Sequence, residues 1–169
     1  MLEYSLYREH DRIYTVYSEE FGKLLLLARG SNRIVSKLAG HMEPFQVSNI
    51  MFAQGRYYDV LAQAETVESF QTIREDMEKM MVALPLLETM SALVQREEGD
   101  PYLFALLLKT LQKIAGEDNR EKCQAFLYHY LLHVLIRAGY AHDVRDEPVL
   151  SHLLIARVGG DGIIVNDAC

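Results

Sequence analysis

Residues 12–30 read RIYTVYSEEFGKLLLLARG, and this stretch decides how the first half of the chain folds. Its first part, RIYTVY, is rich in β-branched and aromatic residues, which is typical of a strand. The letters SEEFG that follow are typical of a turn. The next segment, KLLLLAR, is apolar, too short for an independent helix, and ends at Gly30. The stretch therefore predicts two short strands joined by a turn.

Two further segments continue this pattern toward residue 65. Residues 45–52, FQVSNIMF, alternate imperfectly between apolar and polar, and residues 57–64, YYDVLAQA, follow a turn at Gly55 and Arg56. Four or five short strands joined by turns fit a small β-barrel or β-sandwich.

Near residue 70 the hydrophobic period becomes helical. Ser69 or Thr72 can cap a helix, with Glu75 completing a capping box after Thr72. The apolar side chains that follow share one helical face. They are Ile73, Met77, Met80, Met81 and Leu84. We expect this face, rich in methionine, to fill the core, and an adaptable peptide groove is the functional alternative. Pro85 either kinks this helix or ends it.

Two further helices have clear start and stop signals. Asp100 and Pro101 form a helix start, and Gly116 ends that helix. Asn119 opens another helix, which Gly139 closes. The sequence thus predicts an α+β chain, in which a β-barrel is followed by an α-helical bundle. We place the barrel at residues 1–68, the helical domain at 69–145 and a tail of mixed signals at 146–169.

Composition excludes several classes of protein. No apolar run approaches the roughly 20 residues of a membrane span, and the charged start MLEYSLYREHDR is unlike a signal peptide. The two cysteines cannot form a disulfide framework or a four-cysteine zinc site. No nucleophile elbow, phosphate-binding loop or dinucleotide fingerprint is present. We expect a cytoplasmic protein.

The net charge of −7 argues, taken whole, against a nonspecific nucleic-acid binder. The distribution of the charge weakens this argument against nucleic-acid binding, because residues 71–169 hold fifteen of the 24 acidic side chains. Residues 21–42 hold four basic side chains and no acidic one: Lys23, Arg29, Arg33 and Lys37. With tyrosines available for stacking (Tyr7, Tyr14, Tyr57 and Tyr58), this strip suits a platform for single-stranded nucleic acid. The alternative is an ordinary solvated face.

His129 and His133 stand four residues apart on the last predicted helix, a spacing that can hold a metal. Tyr130 follows His129, however, so the HExxH pattern is missing. A metal-dependent hydrolase using these histidines and a tail histidine is therefore the weakest of the function hypotheses.

Four stretches, in the same order, resemble the RecO family of DNA recombination and repair proteins. The most specific is GKLLLLARGSNRIVSKLAGHMEPF, residues 22–45. Before it, EHDR at 9–12 continues into IYTVYSEEFG; after it come AQAETVESFQTIREDMEKM at 62–80 and LIRAGYAHDV at 135–144. Met1 falls where the first strand of the family is already under way, so we expect the barrel to lack part of that strand.

The resemblance implies an N-terminal OB-fold that binds single-stranded DNA, followed by a helical domain. It implies a recombination mediator that anneals strands and, with a RecR-like protein, helps RecA replace single-strand-binding protein. The acidic tail of that protein is a further implied partner, and the nucleoid is the implied location. The basic positions matching the family pattern are Arg12, Lys23, Arg29, Arg33 and Lys37, with Arg8 and Arg56 as weaker candidates.

Mediator work needs no bond chemistry, so we expect no catalytic residue, no cofactor and no metal. Many family members carry a CxxC…CxxC zinc module after the region that matches residues 135–144. This chain has none there, so zinc is not carried over. The alternative function is a protein-interaction adaptor of RecO ancestry that has lost DNA binding.

Overall fold

The structure is a computed structural model that describes residues 1–31, 38–94 and 99–140. In these residues five strands come first: β1 Glu3–Leu6, β2 Arg12–Ser18, β3 Gly22–Ala28, β4 Gln46–Ala53 and β5 Asp59–Ser69. Four helices follow: α1 Gln71–Glu75, α2 Met77–Leu93, α3 Pro101–Gly116 and α4 Arg120–Arg137. A sheet followed by helices confirms the predicted fold class.

The strands form one sheet in the order β1-β2-β3-β5-β4. Neighbouring strands are antiparallel except β3 and β5, which are parallel. Within the described residues β1 and β4 form no ladder, so the sheet is not closed into a barrel. The amine of Met1 donates a hydrogen bond of 3.4 Å to the carbonyl of Gln46, at the start of β4.

The core of the sheet is built on β2 and β3. Because successive side chains of a strand point to opposite faces, every second residue of β3 is buried. Tyr14 lies opposite Leu26, and Val16 lies opposite Leu24. The remaining members of this core are Ala28, Met42, Leu61 and Ala64.

The turn end of the β2–β3 pair packs against the helices. We call residues 17–23 the hairpin end. The hydroxyl of Tyr17 donates to the carbonyl of Asp100 at 3.3 Å, and its ring lies 6.3 Å from that of Phe104. The ammonium of Lys23 donates to the carbonyl of Ser91 in α2. The hairpin end is thus attached to α2 and to the start of α3.

The predicted start of the first helix is wrong. Strand β5 runs to Ser69 and leads directly into α1, whose N-terminus has no side-chain cap. Thr72 instead donates to the carbonyl of Ala115. The long helix α2 begins after Asp76, whose carboxylate accepts from two backbone amides at 2.9 and 3.2 Å. Pro85 lies inside α2 and does not end it.

The predicted inward face is confirmed for Ile73, which is buried in α1, but is wrong for most of its members in α2. Met77 and Met81 are 73% and 55% exposed, and Leu84 is exposed as well. The buried side chains of α2 are Val82, Ala83, Leu86, Leu87 and Met90. Apolar residues occur on both faces of α2, so periodicity could not decide which face turns inward.

The remaining helix signals are confirmed. The carboxylate of Asp100 accepts from the first amides of α3 at 2.9 and 3.2 Å, and α3 ends at Gly116. The side chain of Asn119 accepts from the amide of Lys122 at the start of α4. Gly139, with a φ of +76°, follows the end of α4.

The chain divides into two compact units, Met1–Leu131 and Leu132–Cys169. The first contains the sheet, α1 to α3 and most of α4. The described part of the second contains the end of α4 and the turn at Gly139. The predicted boundaries at 68/69 and 145/146 stay predictions, and the predicted tail 146–169 lies outside the described residues.

Candidate nucleic-acid interface

Three connections meet at the end of the sheet opposite to the hairpin end. They are the β1–β2 loop, the turn after β3 and the β4–β5 loop. The ring of Tyr7 meets the ring of Tyr58 edge to face, with centroids 5.7 Å apart. The carboxylate of Asp11 accepts from the amide of Gly30 at 2.8 Å. We call residues 7–12, 29–31 and 54–59 the loop end.

On the β1–β2 side, guanidinium groups lie over tyrosine rings. The guanidinium of Arg8 lies 5.2 Å from the centroid of Tyr7, and that of Arg12 lies 4.7 Å from the centroid of Tyr4. Tyr4 pairs with Tyr14, two positions from Arg12, so Tyr4 and Arg12 share one face of the sheet. These cation–π contacts hold the arginines beside aromatic surfaces.

The β4–β5 side repeats this arrangement. The guanidinium of Arg56 lies 5.4 Å from the ring centroid of Tyr57, and Tyr57 is 82% exposed. The carboxylate of Asp59 accepts from the amide of Gly55 at 3.1 Å and closes the loop. A β-carbon on Gly55 would collide with the carbonyl of Tyr58, so this tight loop requires glycine.

The loop end thus brings together four of the seven predicted DNA-contacting residues. Arg8, Arg29 and Arg56 are exposed, and Arg12 is half-buried. Arg33 and Lys37 lie outside the described residues. Lys23 is not brought to this site, because it stands five residues before Ala28 on β3, roughly 17 Å away along an extended strand.

The loop end is only weakly basic. It contains four arginines and three carboxylates, and the carboxylates are those of Glu9, Asp11 and Asp59. Two of these carboxylates accept hydrogen bonds from backbone amides, as described above. The charge supports a modest, salt-sensitive attraction for phosphate.

Sequence reasoning named Tyr14 as available for stacking, and this is wrong. Tyr14 is 1% exposed and belongs to the core of the sheet. It also missed Tyr4, which carries the contact to Arg12. The alternation of β1 could have indicated this, because Tyr4 and Leu6 lie on the face that Arg12 shares.

A second feature of the first unit lies apart from these arginines. A cavity of about 400 Å³ is lined by strand residues such as Val16 and Ile50 and by Phe104 and Leu107 of α3. None of the loop-end arginines lines it. Apolar side chains make up most of the part of the lining that these strands and α3 contribute, and the loop-end tyrosines take no part in it.

The metal hypothesis that uses His129, His133 and a tail histidine stays a prediction, because the tail histidines lie outside the described residues. In the part of the chain that the structure describes, no three histidine, cysteine or carboxylate side chains come close enough to hold a metal ion. His129 and His133 each interact with other groups. None of the described helices is both long and apolar enough to cross a membrane.

The strand order, the open sheet and the helices that follow it define the class: an OB-like domain joined to a helical domain. Two family models match this chain. The model described as the N-terminal part of recombination protein O matches residues 1–70, and the one described as its C-terminal part matches residues 74–149. The chain belongs to the RecO family of DNA recombination and repair proteins.

Curated relatives support this assignment. A protein from Pelotomaculum thermopropionicum is 36% identical over 118 residues, which cover 70% of this chain and 46% of the relative. One from a Synechococcus species is 32% identical over 146 residues, covering 81% and 48%. One from Caldanaerobacter subterraneus is 28% identical over 140 residues, covering 83% and 56%. All three are named DNA repair protein RecO, and the chain spans about half of their length.

Proposed function

We propose that this protein binds single-stranded DNA at the loop end and acts as a recombination mediator. The observation that carries the proposal is the contact between Tyr7 and Tyr58, which joins the β1–β2 and β4–β5 loops. In OB-folds, the face of strands 2 and 3 and these two loops bind oligonucleotides. Here both loops carry an arginine beside a tyrosine, the pairing that a single strand needs for phosphate contact and stacking.

In this role Arg8, Arg12, Arg29 and Arg56 contact phosphates. Arg33 and Lys37 lie outside the described residues and stay predicted phosphate contacts on the family pattern alone. Such contacts act as point charges and do not read the base sequence. By holding strands in this way the protein promotes annealing. With a RecR-like protein it assists RecA in displacing single-strand-binding protein, whose acidic tail is a proposed partner, and the nucleoid is the proposed location.

The test compares two double charge reversals in a binding assay with a fluorescent single-stranded oligonucleotide. Arg8→Glu with Arg56→Glu changes the loop end, whereas Lys109→Glu with Arg120→Glu makes the same charge change on exposed positions of α3 and α4. Four phosphate contacts predict that log Kobs falls with log salt with a slope of about −3. The loop-end variant should lose about 1.4 units of that slope, roughly 0.7 for each contact, and the control variant none.

Equal losses in both variants would show that only net charge matters and would refute the loop end as the binding surface. The mediator role has its own measurements: annealing of complementary labelled strands, and RecA activity on DNA coated with single-strand-binding protein, with a RecR-like protein added. A protein that binds DNA but fails in both measurements is not a mediator.

The weak local charge favours a second candidate, a protein-interaction adaptor that has lost DNA binding. Three carboxylates beside four arginines, in a chain of net charge −7, leave little attraction for phosphate. Capture of a RecR-like protein or of the single-strand-binding protein tail, with no DNA binding even at low salt, would establish this function in place of the first.

A further inference from the structure

The tip of the β4–β5 loop carries an aromatic side chain that packing does not explain. Tyr57 is 82% exposed, more than any other large apolar or aromatic side chain in the described residues. A tyrosine ring is stabilised by burial, so leaving it in water forgoes that stabilisation. The exposure of Tyr57 is therefore a candidate for function.

The loop around Tyr57 is built to hold one shape. The amide of Gly55 donates to the carboxylate of Asp59, and the carbonyl of Tyr58 occupies the space that a β-carbon on residue 55 would need. The ring of Tyr58 rests edge to face on Tyr7 of the neighbouring loop. These contacts fix both sides of Tyr57, so its ring projects from an anchored turn.

The neighbour of Tyr57 provides the complementary chemistry. Arg56 lies 5.4 Å from the centroid of the ring and is itself exposed. An accessible ring beside a guanidinium can stack on a nucleic-acid base while the guanidinium contacts the adjoining phosphate.

We propose that Tyr57 stacks on an unpaired base of the bound strand and makes the loop end select single-stranded nucleic acid over duplex. This inference rests on the proposed function. Gly55, Tyr58 and Tyr7 are positioning residues, because they hold the turn that carries Tyr57. In a duplex the base faces are already stacked on one another, so an aromatic ring reaches them only after unstacking a step. Phosphate contacts alone do not make this distinction.

The first experiment separates stacking from charge by using two strands of equal length and charge, oligo(dT) and an abasic strand. Stacking of one base is worth about fivefold to 150-fold in affinity. The native protein should bind oligo(dT) at least fivefold more tightly than the abasic strand. Tyr57→Ala should abolish this difference without changing the salt slope, and Tyr57→Phe should keep it. Tyr128→Ala, at a position 61% exposed on α4, is the matched control and should behave as the native protein.

The outcomes distinguish this inference from the proposed function. A native protein that binds both strands equally, with a salt slope near −3, keeps the proposed function and refutes the stacking role. A native protein that binds neither strand refutes both. Retention of the oligo(dT) preference by Tyr57→Ala assigns stacking elsewhere and overturns the proposal.

A second experiment observes the contact directly. The chain contains no tryptophan, so Tyr57→Trp introduces a single fluorophore at the proposed stacking position. Its emission should be quenched by oligo(dT) and not by the abasic strand or by duplex DNA, whereas Tyr128→Trp should show no quenching. Gly55→Ala, which must distort the turn, should reduce the oligo(dT) preference as Tyr57→Ala does. Quenching of Tyr57→Trp by the abasic strand to the same extent would overturn the proposal.

Discussion

The loop end and the hairpin end lie on the same pair of strands and carry similar residues, yet they are used differently. At the loop end, Arg8 lies over the half-buried ring of Tyr7, and Arg56 lies beside the exposed ring of Tyr57. At the hairpin end, Lys23 and Tyr17 donate hydrogen bonds to backbone carbonyls of the helical region. A cation with a backbone carbonyl as its partner positions helices, whereas an exposed guanidinium beside a tyrosine ring is available to a ligand. The two ends therefore differ in the groups that their side chains contact, and not in the types of residue that they carry.

The largest effect expected from this comparison is a loss of stability at the hairpin end. A β-carbon on Gly99 would collide with the carbonyls of Glu19 and Glu20, so the turn packs directly on the backbone before α3. Gly99→Ala should lower the free energy of unfolding by about 1–3 kcal/mol, because backbone must move to admit the methyl group. Chemical denaturation measures this loss.

Gly55→Ala is the matched variant, since its new methyl group also meets a backbone carbonyl, at the loop end. Gly99→Ala should leave the affinity of the folded protein for oligo(dT) within twofold of the native value, whereas Gly55→Ala should lower it. If Gly99→Ala weakens DNA binding as much as Gly55→Ala does, the two ends are not separate in function.

A smaller effect is expected from removing single cations along β3 and the turn after it. Lys23→Met keeps the apolar stem but loses the hydrogen bond to Ser91, which should cost about 1 kcal/mol of stability. Its salt slope for DNA binding should not change. Arg29→Met should reduce the magnitude of the slope by about 0.7, with little effect on stability. Denaturation and salt titration measure the two quantities.

This pair also decides the prediction that Lys23 contacts DNA, which stays a prediction. If Lys23→Met reduces the magnitude of the salt slope by about 0.7 and leaves stability unchanged, the DNA-binding surface extends to the hairpin end.

Local signals determined much of the fold. The alternation and turn residues of 12–30 indicate β2 and β3. Asp100 and Asn119 mark helix starts because their side chains accept hydrogen bonds from backbone amides, and Gly116 is the last residue of α3. Arg12 and Arg29 could be placed together because antiparallel neighbours bring the start of one strand beside the end of the other.

What the sequence could not predict depends on packing between distant segments. Tyr14 and Tyr17 are three positions apart on β2 and therefore lie on opposite faces of the strand. Both are nevertheless buried, Tyr14 by the sheet core and Tyr17 by the helices, so alternation cannot show which tyrosine is exposed. The helix partner of Lys23 is 68 residues away along the chain. The contact of Tyr7 with Tyr58 likewise joins loops that are remote in sequence.

The smallest effect at neutral pH is the contribution of two buried tyrosines, Tyr17 and Tyr130, to the pH dependence of stability. This contribution grows only in alkaline solution. Burial raises the pKa of Tyr17, and it raises the pKa of Tyr130, which donates to the carbonyl of Leu86, well above its usual value. In the unfolded chain both phenols ionise near pH 10. Because the folded state holds these protons more tightly, stability should be constant below about pH 10 and fall as the pH rises toward the folded-state values.

Denaturation between pH 7 and pH 11 measures this dependence, and absorbance of the phenolate follows ionisation in the folded protein. The double variant Tyr17→Phe, Tyr130→Phe should lose part of the alkaline fall while remaining folded at pH 7, since both rings keep their apolar contacts. An unchanged alkaline fall in this variant would mean that other groups carry it. Burial would then not hold Tyr17 and Tyr130 in their neutral form. In this respect the two buried tyrosines would not differ from the exposed Tyr57.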